Sequence, residues 1–263
     1  MTDDEFDRWQ GYGAGLVGSL VGATTAAAVA GDPAAAAVGA ILGPVVESAL
    51  IEASHRATSV RQKKRIGAVV AMARDRLIKK VGAGSVLRTD EFLRTRIDGR
   101  SPADEVIEHV IHVAQATFEE RKLPYVSALL ASIAVSSDVD EASAHWALNA
   151  LDSLSWHKLV ALATVGTGDS RHLPVIDPEG PPVTSSAWPI QRAFFELYNI
   201  DQMLADANEP EEGTFRVGTP RIDEMKLSTA GELLFRLADL SSIRDRDVAD
   251  LVTTMLGKDS RGT

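Results

Sequence analysis

The stretch SHRATSVRQKKRIGAVVAMARDRLIKKVG, residues 54–82, predicts a long amphipathic helix. Its apolar residues recur among arginines and lysines at the spacing expected of one helix face, and Gly82 and Gly84 end the pattern. The composition of the whole chain of 263 residues agrees with this. Alanine is abundant and only 5% of the residues are aromatic, which favours close-packed helices over a β-sandwich. We therefore expect a mainly α-helical fold.

Upstream of this helix, the run from Gly11 to Ala53 carries only three charged residues. Asp32-Pro33 divides the run, because aspartate suits a helix cap and proline suits a first helical turn. The arms on either side would be about 30 and 27 Å long as helices. Small residues recur at every fourth position and predict a closely packed face, a Gly-zipper hairpin within residues 1–54. The packing positions are Ala14, Gly18, Gly22, Gly31, Ala35, Gly39 and Gly43.

The net charge of −10 is unevenly distributed along the chain. Residues 56–100 contain thirteen Lys and Arg against four Asp and Glu, a balance of +9. Residues 140–263 contain eleven against twenty, a balance of −9. A basic segment directly after an apolar hairpin fits the positive-inside rule and would meet anionic lipid at about 1 kcal/mol per basic residue. The candidate lipid-facing residues are Arg61, Lys63, Lys64, Arg65, Arg74, Arg76, Lys79 and Lys80.

Two interpretations of the hairpin stay open. Its length without Lys or Arg favours entry into a membrane, but the first arm is weakly apolar, so insertion of that arm alone is marginal. Several chains packed through the small residues would insert more favourably. Alternatively, the hairpin packs against copies of itself in a soluble oligomer, because small-residue faces serve soluble helix packing equally well.

Residues 55–140 are expected to form a helical body. Ser101-Pro102 opens one helix with a capping serine and a proline in the first turn, and Pro124 opens another. The segment EERKLPYVSALLASIAVSSDVDEASAHWALNALDSLSWHKLVAL, residues 119–162, resembles a helical stretch of uncharacterised bacterial proteins, some of which are similar to membrane-associated abortive-infection proteins. This resemblance implies a role in phage defence or a toxin-like effect on membranes.

Residues 141–263 have the element order of a winged-helix-like domain with a small β-ribbon. The order comprises helices over 155–165 and 190–203, the short strands FRV and MKL, and a last helix capped by Ser228. This domain lies in the acidic part of the chain, and Arg192 is the one basic residue of its second helix. Phosphate contacts need Lys and Arg, so we expect a protein partner and no nucleic-acid binding.

Two Glu/His pairs lie on the helix that Ser101 opens. Glu105 and His109, and likewise Glu108 and His112, are four residues apart and lie on adjacent turns. Either pair suits metal chelation or a surface ion pair. We recognise no second helix of this kind in the sequence, so we expect a solvated face and no metal.

Other chemical motifs are incomplete. GAGLVG, residues 13–18, satisfies the dinucleotide-binding spacing but follows no buried strand. Ser155 and Lys158 match the S-x-x-K spacing of serine acyl transferases, but the companion motifs are absent from the sequence and Ser155 suits a helix cap. The chain contains no cysteine, which excludes disulfides and thiolate metal sites. We expect neither an enzyme nor a cofactor.

These features predict a non-enzymatic bacterial protein that is cytoplasmic and associated with the inner membrane. The acidic first ten residues carry no secretory signal, which favours this location. The expected partners are an anionic membrane surface, further copies of the chain and a protein bound by the C-terminal domain. The alternative function is a soluble oligomeric scaffold or adaptor, in which the hairpin packs in a homo-oligomer and the winged helix binds a protein.

Overall fold

A computed structural model describes Ala35 and residues 59–97, 99–168, 175–182, 184–208 and 218–257. The described chain is mainly helical and contains one small antiparallel sheet, so the expected fold class is confirmed at this level. Apart from Ala35, which is helical and buried, the predicted hairpin lies outside the described residues. The chain divides into two compact units between Ser153 and Leu154.

Between residues 59 and 153, the described part of the first unit contains four helices packed on one another. Helix α1 contacts both α2 and α3, and α4 contacts the same two helices. Short 3-10 turns at Glu91–Leu93 and Glu120–Lys122 lie in the connections. The bounds are Val60–Gly82 for α1, Pro102–Ala116 for α2, Leu123–Ile133 for α3 and Glu141–Ser153 for α4.

Helix α1 is a core element of this unit. Ser59 and Gln62 form a capping box at its start, and eight consecutive residues, 66–73, are buried. The predicted amphipathic helix would expose one face to solvent along its length, whereas these two full turns of α1 are buried on every side. The physical reason is side-chain size, because the glycine and alanines of this stretch allow neighbouring helices to approach from several directions. The basic residues are therefore confined to the two ends of α1.

Local signals explain where the other helices of the first unit begin. Ser101 caps α2 in a capping box with Asp104, and Pro102 occupies the first turn, as predicted. Helix α4 belongs to the first unit because it packs on α2 and α3, so the division lies after Ser153 and not at residue 140. Burial of the apolar face of α4 decides this boundary.

In the described residues of the second unit, four helices are combined with the sheet. Strand β1, Leu204–Asp206, pairs with β2, Met225–Leu227, so that Leu204 lies opposite Leu227. The predicted strand MKL is thus confirmed, with 204–206 as its partner, while FRV lies outside the described residues. The helices are α5, Trp156–Gly166; α6, Trp188–Asn199; α7, Thr229–Leu237; and α8, Asp245–Met255.

A glycine permits the sheet and α7 to meet. Ser228 caps α7 by accepting a hydrogen bond from the backbone N–H of Gly231, and its hydroxyl donates to the carbonyl of Gln202. A Cβ atom on Gly231 would lie 2.1 Å from the carbonyl oxygen of Met203. Only a residue without a side chain fits this approach of helix to strand.

Candidate functional site

The arginines at the N-terminal end of α1 contact residues 115–120 of the same unit. Arg61 pairs with Glu120 at 2.6 Å, and Arg65 lies 3.2 Å from the same carboxylate. The Arg65 guanidinium also donates to the carbonyls of Gln115 and Thr117, and only 12% of its side chain is exposed. Arg65 therefore points inward to the end of α2, away from the direction that a lipid-facing role requires.

The lysines of the same end have a different environment. Lys63 and Lys64 form no ion pair with any residue that the structure describes. Two large apolar side chains of this end are exposed, Val60 at 73% and Phe118 at 95%. Phe118 lies here because the Arg61 and Arg65 contacts hold residues 115–120 against the start of α1. We call these four residues, Val60, Lys63, Lys64 and Phe118, the basic-apolar end.

The remaining predicted lipid-facing residues lie further along α1. Arg74 and Arg76 are half-buried, and Lys79 and Lys80 lie in the last turn, where cations interact favourably with the helix dipole. At 1.5 Å per residue, this turn is about 24 Å from Lys63 and Lys64. The eight predicted residues thus do not form one continuous face.

A second candidate site lies between α2 and α4. Glu105 and His109 on α2 face Glu141 and His145 on α4, which repeat the spacing of four residues. Oxygen atoms of the two glutamates and a nitrogen of His145 all lie within 4.8 Å of one another. The expectation of a solvated face is therefore corrected for Glu105 and His109, which are half-buried against a second helix with the same pair.

The two histidines of this site are in direct contact. Nδ1 of His109 lies 2.9 Å from Nδ1 of His145, and the ring centroids are 5.1 Å apart. Burial lowers the pKa of His109, and the charges of His145 and His112 act in the same direction. His109 is therefore held in its neutral form more strongly than a free histidine.

Arg96 supplies the positive charge beside the two glutamates. Its guanidinium donates to both oxygens of Glu141 and lies 3.9 Å from a Glu105 oxygen. The hydrogen bond from Arg96 holds the pKa of Glu141 below its ordinary range, against the opposing effect of burial. The Arg96 side chain is 46% exposed, so this cation lies at the open edge of the cluster.

The other predicted Glu/His pair is not part of the cluster. His112 is exposed, and Glu108 pairs with Arg100 at the surface. The signal for the pair that does meet Glu105 was present in the sequence as Glu141-x-x-x-His145. It does not by itself predict the cluster, because no local pattern shows which face of α4 turns toward α2.

Ser155 and Lys158 form a structural contact in the second unit. The Ser155 hydroxyl accepts from the backbone N–H of Lys158 and caps α5, as predicted. The Lys158 ammonium lies 2.7 Å from Asp201 and 2.9 Å from Glu196. Burial lowers the pKa of Lys158, but hydrogen bonds to Asp201 and Glu196 outweigh it and raise the pKa overall. Lys158 is thus held charged, which is unfavourable for a general base.

Two further findings bear on the function. Among the residues that the structure describes, no helix combines the length and apolarity needed to cross a bilayer. The GAGLVG motif and the small-residue positions other than Ala35 lie outside the described residues. Comparisons with protein-family models, curated proteins and solved structures find no match for this chain.

Proposed function

We propose that this chain is a non-enzymatic protein that associates with anionic membranes through the basic-apolar end of α1. The observation that carries this proposal is the exposure of Phe118 and Val60 beside two lysines without acidic partners among the described residues. Cations and aromatic side chains together are typical of surfaces that enter the headgroup region of a bilayer. Each lysine near such a surface contributes about 1 kcal/mol.

The dimensions of α1 restrict the contact to this end. Residues 66–73 are buried within the unit, so the helix cannot lie with one face along the lipid. Lys79 and Lys80 are about 24 Å away along the axis. This distance exceeds the screening length of about 8 Å at physiological salt, so these lysines add little attraction when the other end is docked.

The predicted hairpin fits this orientation by its position in the sequence. Residues 11–53 precede α1, so an inserted hairpin would return the chain to the membrane surface close to Lys63. Assembly through the small-residue positions Gly18 and Gly39, and inner-membrane association in bacteria, belong to this proposal. A role in phage defence rests on the sequence resemblance of residues 119–162.

Vesicle flotation of the full chain tests the proposed contact. We expect co-flotation with phosphatidylglycerol vesicles and not with phosphatidylcholine vesicles. The double substitution K63E/K64E removes about 2 kcal/mol of attraction and should weaken binding at least about thirty-fold. Phe118→Ala should also weaken binding, because the aromatic ring that enters the headgroup region is removed. The ring is exposed, so its removal should leave folding almost unaffected.

Matched controls lie at the other end of α1. K79E/K80E makes the same change of charge, and Val86→Ala removes an apolar side chain that is 79% exposed. Both control proteins should bind as the wild type does. Equal loss in K63E/K64E and K79E/K80E, or flotation that does not depend on lipid charge, would refute a contact at this end.

For the second unit, we propose a winged-helix-like module that binds a protein partner. The order of its described elements, two helices, two strands and two helices, supports this proposal, as does its acidic composition. Several of its arginines are paired with its own carboxylates, which leaves less charge for phosphate contacts: Arg192 with Glu196, Arg221 with Asp223, Arg244 with Asp247 and Arg246 with Asp250.

Absence of vesicle binding, with a stable oligomer by light scattering, would instead support the soluble adaptor.

A further inference from the structure

We propose that Glu105, Glu141 and His145 form a binding site for a divalent transition metal of the zinc type, with His109 as a positioning residue. This site goes beyond the membrane contact and is independent of it. It joins two helices, α2 and α4, and each helix contributes one Glu/His pair with a spacing of four residues. Two carboxylates would balance the charge of a divalent ion.

The geometry of the three ligand atoms is close to that of a bound ion. They lie within 4.8 Å of one another, whereas ligands about 2.0–2.2 Å from a tetrahedral zinc are about 3.3–3.6 Å apart. The glutamate side chains are 33% and 26% exposed, so rotation about their side-chain bonds can close this difference. Two oxygens and one imidazole nitrogen favour zinc and similar ions over magnesium, which prefers oxygen ligands alone. The fourth position is left for water or another small ligand.

The contact between the two histidines orients the ligand nitrogen. With Nδ1 of His145 directed at Nδ1 of His109, Nε2 is the nitrogen of His145 that is left for a metal. Nδ1 of His109 lies 2.9 Å from Nδ1 of His145 and can accept a hydrogen bond from its N–H. Histidine ligands of metals commonly donate their second ring N–H to such a neighbour, which fixes the tautomer and the ring orientation.

Arg96 occupies the role of counter-ion when no metal is bound. It neutralises the same two carboxylates, and its half-exposed side chain can move into solvent when a divalent ion replaces it. An ion pair of this exposure is weak, so it opposes metal binding only weakly. Removal of the Arg96 charge should therefore tighten the binding of metal, an effect opposite in sign to the loss of a ligand.

Calorimetric titration of the full chain with Zn²⁺ in metal-free buffer tests the site. We expect one ion per chain. Glu141→Gln and His145→Ala should each weaken binding at least about tenfold, and His109→Ala, which removes the orienting contact, should weaken it about tenfold. Arg96→Gln should strengthen binding about two- to fivefold. Mg²⁺ should not compete.

The neighbouring pair on α2 provides matched controls. Glu108→Gln and His112→Ala remove the same chemical groups from the same helix outside the cluster, and neither should change zinc binding. Circular dichroism establishes that each variant is folded, and Glu105→Gln tests the site should Glu141→Gln or His145→Ala fail to fold. Absence of zinc binding in the wild type, equal loss in the control variants, or weaker binding in Arg96→Gln would overturn the proposal.

Discussion

Arg88 is expected to be the most costly arginine to replace in the first unit. Its side chain is 4% exposed and lies over the Phe92 ring, 3.9 Å from the ring centroid. The guanidinium donates to the carbonyl of Val139 at 2.9 Å and to Asp90 at 2.9 and 2.7 Å. Arg88 thus joins the segment after α1 to the connection between α3 and α4. We consider the substitution Arg88→Met, which keeps much of the side-chain volume and removes every donor.

The expected loss in the free energy of unfolding is the sum of the contributions of the Arg88 contacts that the substitution removes. The charged hydrogen bond to the buried Val139 carbonyl is worth about 1.5–3 kcal/mol. The Asp90 side chain is 38% exposed, so that ion pair contributes less than about 1 kcal/mol. The cation over the Phe92 ring adds about 1 kcal/mol, of which methionine recovers part through its sulfur. The total predicts a destabilisation of about 3 kcal/mol.

Urea unfolding followed by circular dichroism measures this loss. With a slope of about 2 kcal/mol/M, the midpoint of the first unit should fall by more than about 1 M in Arg88→Met. Arg94 is the matched control, because it lies in the same segment with a side chain 70% exposed and pairs with the exposed Glu91. Arg94→Met should cost less than about 0.5 kcal/mol. If the two variants unfold at the same urea concentration, the reasoning from burial is wrong.

Two predictions concern the second unit. Hydrogen bonds from Lys158 and then Arg192 hold the pKa of Glu196 below its ordinary 4.5, so the stabilisation is present above pH 4.5 and is lost as the pH falls through the lower folded pKa. Between about pH 6 and pH 3, the melting temperature should fall less in Glu196→Gln than in the wild type. An equal fall in the two proteins would contradict this. Gly231→Ala should lower the free energy of unfolding by about 1–3 kcal/mol because its Cβ meets the Met203 carbonyl, whereas the exposed Thr229→Ala should change it little.

Local signals in the sequence were sufficient to predict where several elements begin. Ser101, Ser155 and Ser228 each accept a hydrogen bond from the backbone N–H of the third residue of the following helix. A cap acts within one turn, so its effect can be recognised without knowledge of the rest of the fold. The strand MKL can likewise be predicted from the sequence, but its partner at 204–206 cannot, because pairing joins segments that are distant along the chain.

The environment of the charged residues in α1 could not be predicted from spacing. The pattern of apolar and basic residues was compatible with a helix on a surface, yet residues 66–73 are buried on all sides. Arg65 turns inward because carbonyls at the end of α2 and the Glu120 carboxylate of the following 3-10 turn bind its guanidinium. Lys63 and Lys64 lie two turns or less from the start of the same helix and meet no described carboxylate. Tertiary neighbours, and not helix periodicity, therefore decide that Arg65 is bound within the described part of the unit while Lys63 and Lys64 are not.

The helical class, the segregation of charge and the starts of helices can be predicted from the sequence, because they depend on composition and on contacts within a few residues. Tertiary structure alone decided which side chains meet. Glu105 and His145 are forty residues apart in the chain, and their proximity depends on how α2 and α4 are rotated against each other when their apolar faces are buried. That rotation is set by packing over the whole unit, so a cluster of two Glu/His pairs emerges only when both helices are in place.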